Sequence, residues 1–187
     1  MGKRHDIINA TLDLIDKEGL QSVTFAKIFK SANVGSGTLF NYFSSKEELV
    51  NEVYKAARIH MGQCLLVDYD PESSLYERFK CLQLNRLRFA IDYPKEFRFI
   101  DNYSYSPCIP ADLRRMDDDS ASREVVLSLI IEGQGLGIIK EMDSNLCHSI
   151  IHGIITSIAK GYYVQKYQLT DLQIQQTLEA SWKAILV

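Results

Sequence analysis

Residues 24–43 read TFAKIFKSANVGSGTLFNYF, and this stretch decides the fold. Thr24 can cap a helix that runs to Asn33, and the apolar residues of that helix recur at three- and four-residue steps. Asn33-Val34-Gly35 interrupts this helix, and a very short one, about Ser36 to Phe43, follows. Two short helices joined by a turn of three to four residues predict a helix-turn-helix.

Helices are also predicted on both sides of this stretch. Asp6 to Lys17 has an amphipathic helical pattern, which Gly19 closes. Ser45-Lys46-Glu47-Glu48 is typical of a capping box and should open a fourth, long helix that runs to about Leu65. The first 48 residues therefore predict a three-helix head.

The rest of the chain keeps the helical period, and no alternating strand pattern competes with it. The predicted helices are 73–93, 94–103, 110–131, 143–167 and 170–185, with a break at Gly133, Gly135 and Gly137. We therefore expect an all-α fold of about nine helices, with a head at 1–48 and a larger helical body at 49–187.

Composition narrows the possible functions. The 187 residues carry a net charge of −3, and residues 1–50 contain six basic and six acidic residues, so bulk positive charge cannot hold nucleic acid. The four cysteines are far apart and form no Cys-x-x-Cys pair, which favours free thiols. Neither a secretory leader nor a membrane span is predicted, so we expect a cytoplasmic protein without membrane partners.

The short helix has the side chains that a DNA-reading helix needs. Small and polar residues face outward, where the backbone can approach a duplex, while Val34, Leu39 and Phe43 face inward. The run from Ile7 to Val53 resembles the DNA-binding head of the TetR/AcrR family of transcriptional regulators. The matching positions are Ile8, Ala10, Leu14, Gly19, Thr24, Ile28, Ala32, Val34, Gly37-Thr38-Leu39-Phe40, Tyr42-Phe43, Ser45-Lys46-Glu47 and Leu49.

The resemblance implies a homodimeric regulator, most often a repressor, that binds a double-stranded, palindromic operator and releases it when a small-molecule inducer binds the body. The DNA-binding residues that it implies by position are Arg4, Thr24, Lys27, Ser36, Gly37, Thr38, Asn41, Tyr42 and Lys46. The chain departs from the family pattern at Phe29, Asn33, Gly35 and Phe40. Phe40 replaces a phosphate-binding tyrosine and has no hydroxyl to donate.

Two apolar helices near the C-terminus predict the dimer interface, as the resemblance also implies. The expected interface residues are Ile151, Ile154, Ile155, Ile158, Tyr162, Leu178 and Trp182. Gly153, Ala159 and Gly161 would let another helix approach closely. The alternative is that these residues belong to the core of a single chain.

Aromatic residues concentrated in the middle of the chain predict an effector pocket with a few polar anchors. The candidate residues are Gln83, Arg86, Phe89, Phe97, Tyr103 and Tyr105. Most such aromatics are core residues in any protein, which is the competing interpretation.

Other site types find less support. His148 and His152 are four residues apart, as two metal ligands on one helix can be, but no further ligands are placed, so we expect no metal and no cofactor. Gly133, Gly135 and Gly137 lack the strand context of a phosphate-binding loop, and no nucleophile elbow is present, so we expect no enzyme. A helical adaptor that binds other proteins is the remaining alternative.

Overall fold

The computed structural model describes residues 2–114 and 120–187, and these residues form an all-helical chain without named strands. The helices, numbered in chain order, are α1 (Lys3–Glu18), α2 (Phe25–Ala32), α3 (Ser36–Phe40), α4 (Lys46–Leu65), α5 (Leu75–Asp92), α6 (Pro94–Tyr103), α7 (Ala111–Arg114), α8 (Ser120–Gly135), α9 (Ser144–Tyr163) and α10 (Asp171–Lys183). A single 3-10 turn, Leu20–Ser22, follows α1. The predicted all-α class is confirmed.

The described residues fall into two compact units. The N-terminal unit contains those of 1–60 and 93–116, and the C-terminal unit contains those of 61–92 and 117–187. Helix α4 therefore supplies residues to both units, and α6 belongs with the N-terminal helices. The expected boundary at residue 48, between a DNA-binding head and an effector-binding and dimerisation body, stays a prediction, because compact units do not show where effector binding begins.

The N-terminal unit has its own hydrophobic core. Ile7, Ile28 and Leu39 from the first three helices are at most 1% exposed, and Phe99 of α6 packs into the same cluster. Two ion pairs also join α6 to α1: Arg98 Nε donates to Asp16 at 2.8 Å, and Lys95 Nζ donates to Asp13 at 2.6 Å. Helix α6 is thus fixed to the first helix by both apolar and charged contacts.

The C-terminal unit is built from α5, α8, α9 and α10. Phe79 of α5, Ile130 of α8 and Ile151 of α9 are at most 1% exposed and belong to one cluster. Near the C-terminus, Ile139 and Leu186 form an isolated antiparallel bridge. This bridge ties the last residues of the chain to the segment after α8.

The predicted helix break at Gly133 is wrong, because α8 continues to Gly135. The glycine has a packing role there: a Cβ at Gly133 would lie 2.5 Å from Ile139 Cδ1 and 3.0 Å from Leu75 Cδ2. Gly137, two residues after the end of α8, has a left-handed backbone conformation with a φ of +67°. The predicted helix over 110–131 corresponds to α7 and α8, and its residues 115–119 lie outside the described residues.

Candidate nucleic-acid interface

The start of α2 is fixed by its capping residue. Thr24 has extended backbone angles, and its hydroxyl accepts a hydrogen bond from the Lys27 backbone N–H at 3.4 Å. This contact satisfies one of the amides that have no partner within a helix, as the sequence predicted. Thr24 is exposed, so the capped end of α2 is open to solvent.

The turn between α2 and α3 depends on Asn33. Its φ of 52° and ψ of 50° place it in the left-handed region, where its own N–H donates to Phe29 O. Asparagine adopts this conformation more readily than other residues with a side chain, because its short polar group can bond locally. Asn33 therefore takes the place of the glycine that the family pattern has here.

Helix α3 is short and is anchored from one side. Leu39 is fully buried, and Phe43, one turn further on, is 1% exposed. The polar positions face away from these anchors: Ser36, Gly37, Asn41 and Tyr42 are exposed, and Thr38 is half-buried. A Cβ at Gly37 would meet nothing within 4 Å, so this face has free space for a partner. This is the arrangement that a major-groove reading helix requires.

Phe25, Phe29 and Phe40 form an aromatic cluster between α2 and α3 that the sequence did not predict. The Phe40 ring lies 5.2 Å from Phe25 and 6.3 Å from Phe29 between centroids, both in edge-to-face geometry. Phe40 is nevertheless 52% exposed. Phe29 and Phe40 both depart from the family pattern, and their rings pack edge to face. The presence of phenylalanine at both positions was the signal in the sequence that could have predicted this cluster.

The three basic side chains that were expected to meet phosphates all have partners in the chain itself. Lys27 Nζ donates to Glu18 Oε2 at 2.5 Å and to Ser22 O at 2.9 Å. Lys46 Nζ donates to Leu20 O at 3.0 Å, and Arg4 pairs with Glu52. Exposed ion pairs of this kind are weak. Phosphates can therefore replace the carboxylate partners of Lys27 and Arg4 at small cost.

The N-terminus of α4 is capped by two serines. Ser45 Oγ accepts from the Glu48 N–H at 3.0 Å, as in the predicted capping box. The return contact goes to the preceding serine, because Glu48 Oε2 accepts from Ser44 N at 2.7 Å and from Ser44 Oγ at 2.5 Å. These hydrogen bonds from Ser44 lower the pKa of Glu48. The first turn of α4 is thus ordered next to Lys46.

Comparison with known proteins identifies the family. Residues 7–53 match the N-terminal sequence model of bacterial regulatory proteins of the tetR family, and residues 74–186 match the tetracyclin repressor-like C-terminal domain. The chain belongs to the TetR family. It is therefore a DNA-binding transcriptional regulator with a helix-turn-helix.

Individual members of the TetR family match along almost the whole chain. An HTH-type transcriptional regulator from Haemophilus influenzae is 21% identical over 96% of this chain and 93% of its own length. A fatty acid metabolism regulator protein from Bacillus subtilis is 24% identical over 91% of this chain and 89% of its own. The solved structure of a TetR family regulator from Marinobacter aquaeolei superposes with a TM-score of 0.89 at 20% identity, covering 98% of this chain and 95% of that one.

The expected effector residues of this TetR-family chain fall into different units. Gln83, Arg86 and Phe89 lie on α5 of the C-terminal unit and are buried. Phe97 and Tyr103 lie on α6 in the N-terminal unit, where the Tyr103 hydroxyl accepts from Leu20 N at 3.3 Å. The sixth residue, Tyr105, is 89% exposed. The α5 residues therefore share one helix of the C-terminal unit, whereas Phe97 and Tyr103 share α6 of the N-terminal unit.

An open depression of about 850 Å³ lies at the end of α9. It is lined by Tyr162, Tyr163, Gln165, Tyr167, Gln168 and Leu169, and none of these was an expected effector residue. Tyr162 was expected at the dimer interface instead.

The expected dimer residues differ in how far the chain itself covers them. Ile151, Ile155 and Leu178 are at most 3% exposed and pack inside the single chain. The half-buried ones are Ile154, Ile158, Tyr162 and Trp182. Among the glycines expected to allow close approach, Gly161 is covered by the ring of Tyr167, whereas a Cβ at Gly153 would meet nothing within 4 Å.

The described residues show neither a metal-binding cluster nor a bilayer-spanning helix. No group of three or more His, Cys, Asp or Glu side chains within them is placed to hold a metal ion, and the His148 and His152 rings lie 5.9 Å apart between centroids. Within the same residues, none of the helices combines the length and apolar character that a bilayer span requires.

Proposed function

We propose that this TetR-family regulator is a ligand-responsive repressor that binds a palindromic operator as a homodimer. The outward face of α3 carries the proposal: Ser36, Gly37, Asn41 and Tyr42 are exposed, while Leu39 fixes the helix from below. The side chains of Ser36, Asn41 and Tyr42 would contact base edges in the major groove, and Gly37 would let the backbone approach the duplex. Two copies of α3 in a dimer would then read half-sites about one helical turn, or roughly 34 to 36 Å, apart.

The backbone contacts would come from residues around α3. Thr24, Lys27 and Lys46 would meet phosphates next to the reading helix, and Arg4 would reach the flanking strand. Lys27 and Arg4 are exposed, and their present carboxylate partners are exchangeable. Phosphate contacts position a protein on a duplex, whereas base contacts select the sequence.

The homodimer would use α9 and α10. Ile154, Ile158 and Tyr162 are only half-buried in the single chain, and Gly153 leaves open space beside them. A second copy packed on this face would complete their burial. Light scattering should give the mass of two chains at micromolar concentration, and a monomeric mass would overturn the dimer.

DNA binding is tested with an operator selected from random duplexes by the full-length protein. Tyr42→Ala removes a side chain of the proposed reading face and should lower operator affinity by about thirtyfold or more, since a lost base contact costs at least about 1 kcal/mol and each of two protomers loses one. Tyr105→Ala is the matched control, because Tyr105 is an exposed tyrosine outside the proposed interface. An equal effect of both variants would show that α3 is misassigned. Failure to select any duplex at low salt would favour a protein-binding adaptor.

Ligand response would follow from a shift between two dimer conformations, only one of which fits the operator. A differential affinity of 1 to 3 kcal/mol for the two conformations is enough for roughly fivefold to 150-fold release. The name of the Bacillus relative makes fatty acids one reasonable class to test as effectors. If none of the tested small molecules changes the operator affinity, the proposed ligand response is wrong, although the protein remains a regulator.

A further inference from the structure

The depression at the end of α9 belongs to the C-terminal unit and lies apart from the expected effector residues. Its volume of about 850 Å³ is that of a site for a small organic molecule. Three tyrosines, two glutamines and one leucine line it: Tyr162, Tyr163, Gln165, Tyr167, Gln168 and Leu169. We call it the tyrosine depression.

The turn that ends α9 supplies one wall of the tyrosine depression. Gln165 N donates to Tyr162 O and Lys166 N donates to Gly161 O, both at 3.0 Å, and Gln165 has a left-handed φ of 55°. Glycine usually takes the left-handed position of this helix-ending motif, because a side chain there is strained. The chain instead has a glutamine whose side chain lines the depression. Folding alone would favour glycine, so a bound molecule gives the better reason for the amide.

The tyrosine rings are fixed by their own hydroxyl groups. Tyr167 Oη donates to Ile158 O at 2.9 Å, and Tyr163 Oη donates to Ala90 O on α5. Gly161 lets the Tyr167 ring lie against α9, since a Cβ at this glycine would be only 2.5 Å from Tyr167 Cζ. Because these two hydroxyls are bonded to the backbone, the two tyrosines contribute mainly aromatic surface to the depression.

The lining favours a ligand without charge. All six lining residues are of uncharged types, and the charged residues within 160–169 are Lys160 and Lys166. Tyrosine rings can also attract an organic cation, but two lysines in the same segment repel one. Aromatic rings pack well against another flat ring, and a glutamine amide can both donate and accept a hydrogen bond.

We propose that the tyrosine depression binds an uncharged, planar aromatic molecule that carries a hydroxyl group. The ring of the ligand packs against the tyrosines, and its hydroxyl exchanges hydrogen bonds with the amides of Gln165 and Gln168. This site is separate from the proposed function, because binding here requires no operator.

The test measures direct binding to the full-length protein without DNA. The probe is 2-naphthol, and its saturated counterpart decahydro-2-naphthol keeps the hydroxyl group but has no aromatic ring. N-methylquinolinium is a flat bicyclic cation of similar size. Calorimetry should show one 2-naphthol per chain, bound about threefold or more tightly than decahydro-2-naphthol. The cation should bind more weakly than 2-naphthol.

The Gln165→Gly variant tests the contribution of the amide. Glycine accepts the left-handed conformation, so this variant should fold with an unchanged or higher Tm. It should nevertheless bind 2-naphthol about threefold to tenfold more weakly, because one hydrogen bond is lost. Asp68→Gly is the matched control, since Asp68 has the same φ of 55° in the same unit and does not line the depression.

Two variants of Tyr167 test the contribution of the ring. Tyr167→Leu should reduce the preference for 2-naphthol over its saturated counterpart, whereas Tyr167→Phe keeps the ring and should retain this preference. If Tyr167→Leu fails to fold, Gln165→Gly decides whether the binding belongs to this site.

Four results would overturn the proposal: no binding of 2-naphthol at millimolar concentration, equal binding of the aromatic and saturated alcohols, tighter binding of the cation, or equal effects of Gln165→Gly and Asp68→Gly. A gel shift at saturating 2-naphthol separates this site from the proposed function. Binding that depends on Gln165 but leaves operator affinity unchanged supports the site and shows that it is not the inducer site. Absence of binding overturns the site and leaves the proposed repressor unaffected.

Discussion

Replacing Glu18 by glutamine should tighten operator binding, because the Glu18 carboxylate competes with DNA phosphate for Lys27. The Lys27 Nζ to Glu18 Oε2 distance is 2.5 Å, and the side chains are 44% and 30% exposed, respectively. The hydrogen bond from Lys27 lowers the pKa of Glu18, so the carboxylate is charged at neutral pH. Glu18→Gln keeps the shape of the side chain and removes this charge.

The expected size of the effect follows from the exposure of the pair. Exposed ion pairs are weak and are screened by salt, and a dimer contains two copies, so we expect an affinity gain of about threefold to tenfold at low salt. Lys27→Met should act in the opposite direction. It should also reduce the slope of log affinity against log salt concentration by about 2, since each of two protomers loses one phosphate contact.

The assay is fluorescence anisotropy of a labelled operator, titrated at several salt concentrations with the wild type, both single variants and the double variant. The gain from Glu18→Gln should disappear in the Lys27→Met background, as expected if the two side chains act through each other. Glu77→Gln is the control, because Glu77 forms a similar 3.0 Å ion pair with Lys80 in the C-terminal unit. A gain no larger than that of Glu77→Gln, or one that persists without Lys27, would refute the reasoning.

Three further outcomes are expected. Phe40→Tyr should restore a phosphate-binding hydroxyl and tighten operator binding by roughly 1 kcal/mol per protomer in the same anisotropy assay, and an unchanged affinity would mean that Phe40 does not face the backbone. Asn33→Ala should lower the free energy of unfolding in urea by about 1 kcal/mol because of its φ of 52°, whereas Asn33→Gly should not; equal losses would contradict the role of the left-handed turn. Burial, together with the nearby basic groups Arg86, His152 and Arg123, lowers the pKa of His148 from 6.5 to about 3, so below pH 6.5 the unfolded chain takes up a proton that the folded chain excludes. The free energy of unfolding should therefore decrease as the pH is lowered from 6.5, by up to about 1.4 kcal/mol per pH unit, and His148→Gln should make this dependence weaker. A His148→Gln variant that is as sensitive to acid as the wild type would contradict this explanation.

The head was predictable because its signals are local. Thr24 caps α2 through a contact three residues away, and Asn33 makes the left-handed turn through its own backbone. The inward set of Leu39 and Phe43 follows from helical spacing alone. Since such contacts span only a few residues, the sequence contains all the information that they need.

The position of α6 was not predictable in the same way. The aromatic pattern grouped Phe97 and Tyr103 with residues of α5, whereas the structure places the two sets in different units, and their role in effector binding stays a prediction. Apolar patterning shows that a residue is buried but not which core buries it. The matching spacing of Asp13 and Asp16 on α1 with Lys95 and Arg98 on α6 was the overlooked signal.

The sequence by itself determined the helical class, the helix-turn-helix and the residues on its outer face, because caps, turns and helical period act over three or four residues. Only the tertiary structure decided which apolar positions the chain covers itself, as it does for Ile151 and Ile155, and which basic residues have carboxylate partners, as Lys27 and Arg4 do. Burial and ion pairing depend on contacts between helices that are distant in sequence. When a helix has apolar residues around most of its surface, its sequence does not indicate which face packs against the rest of the same chain.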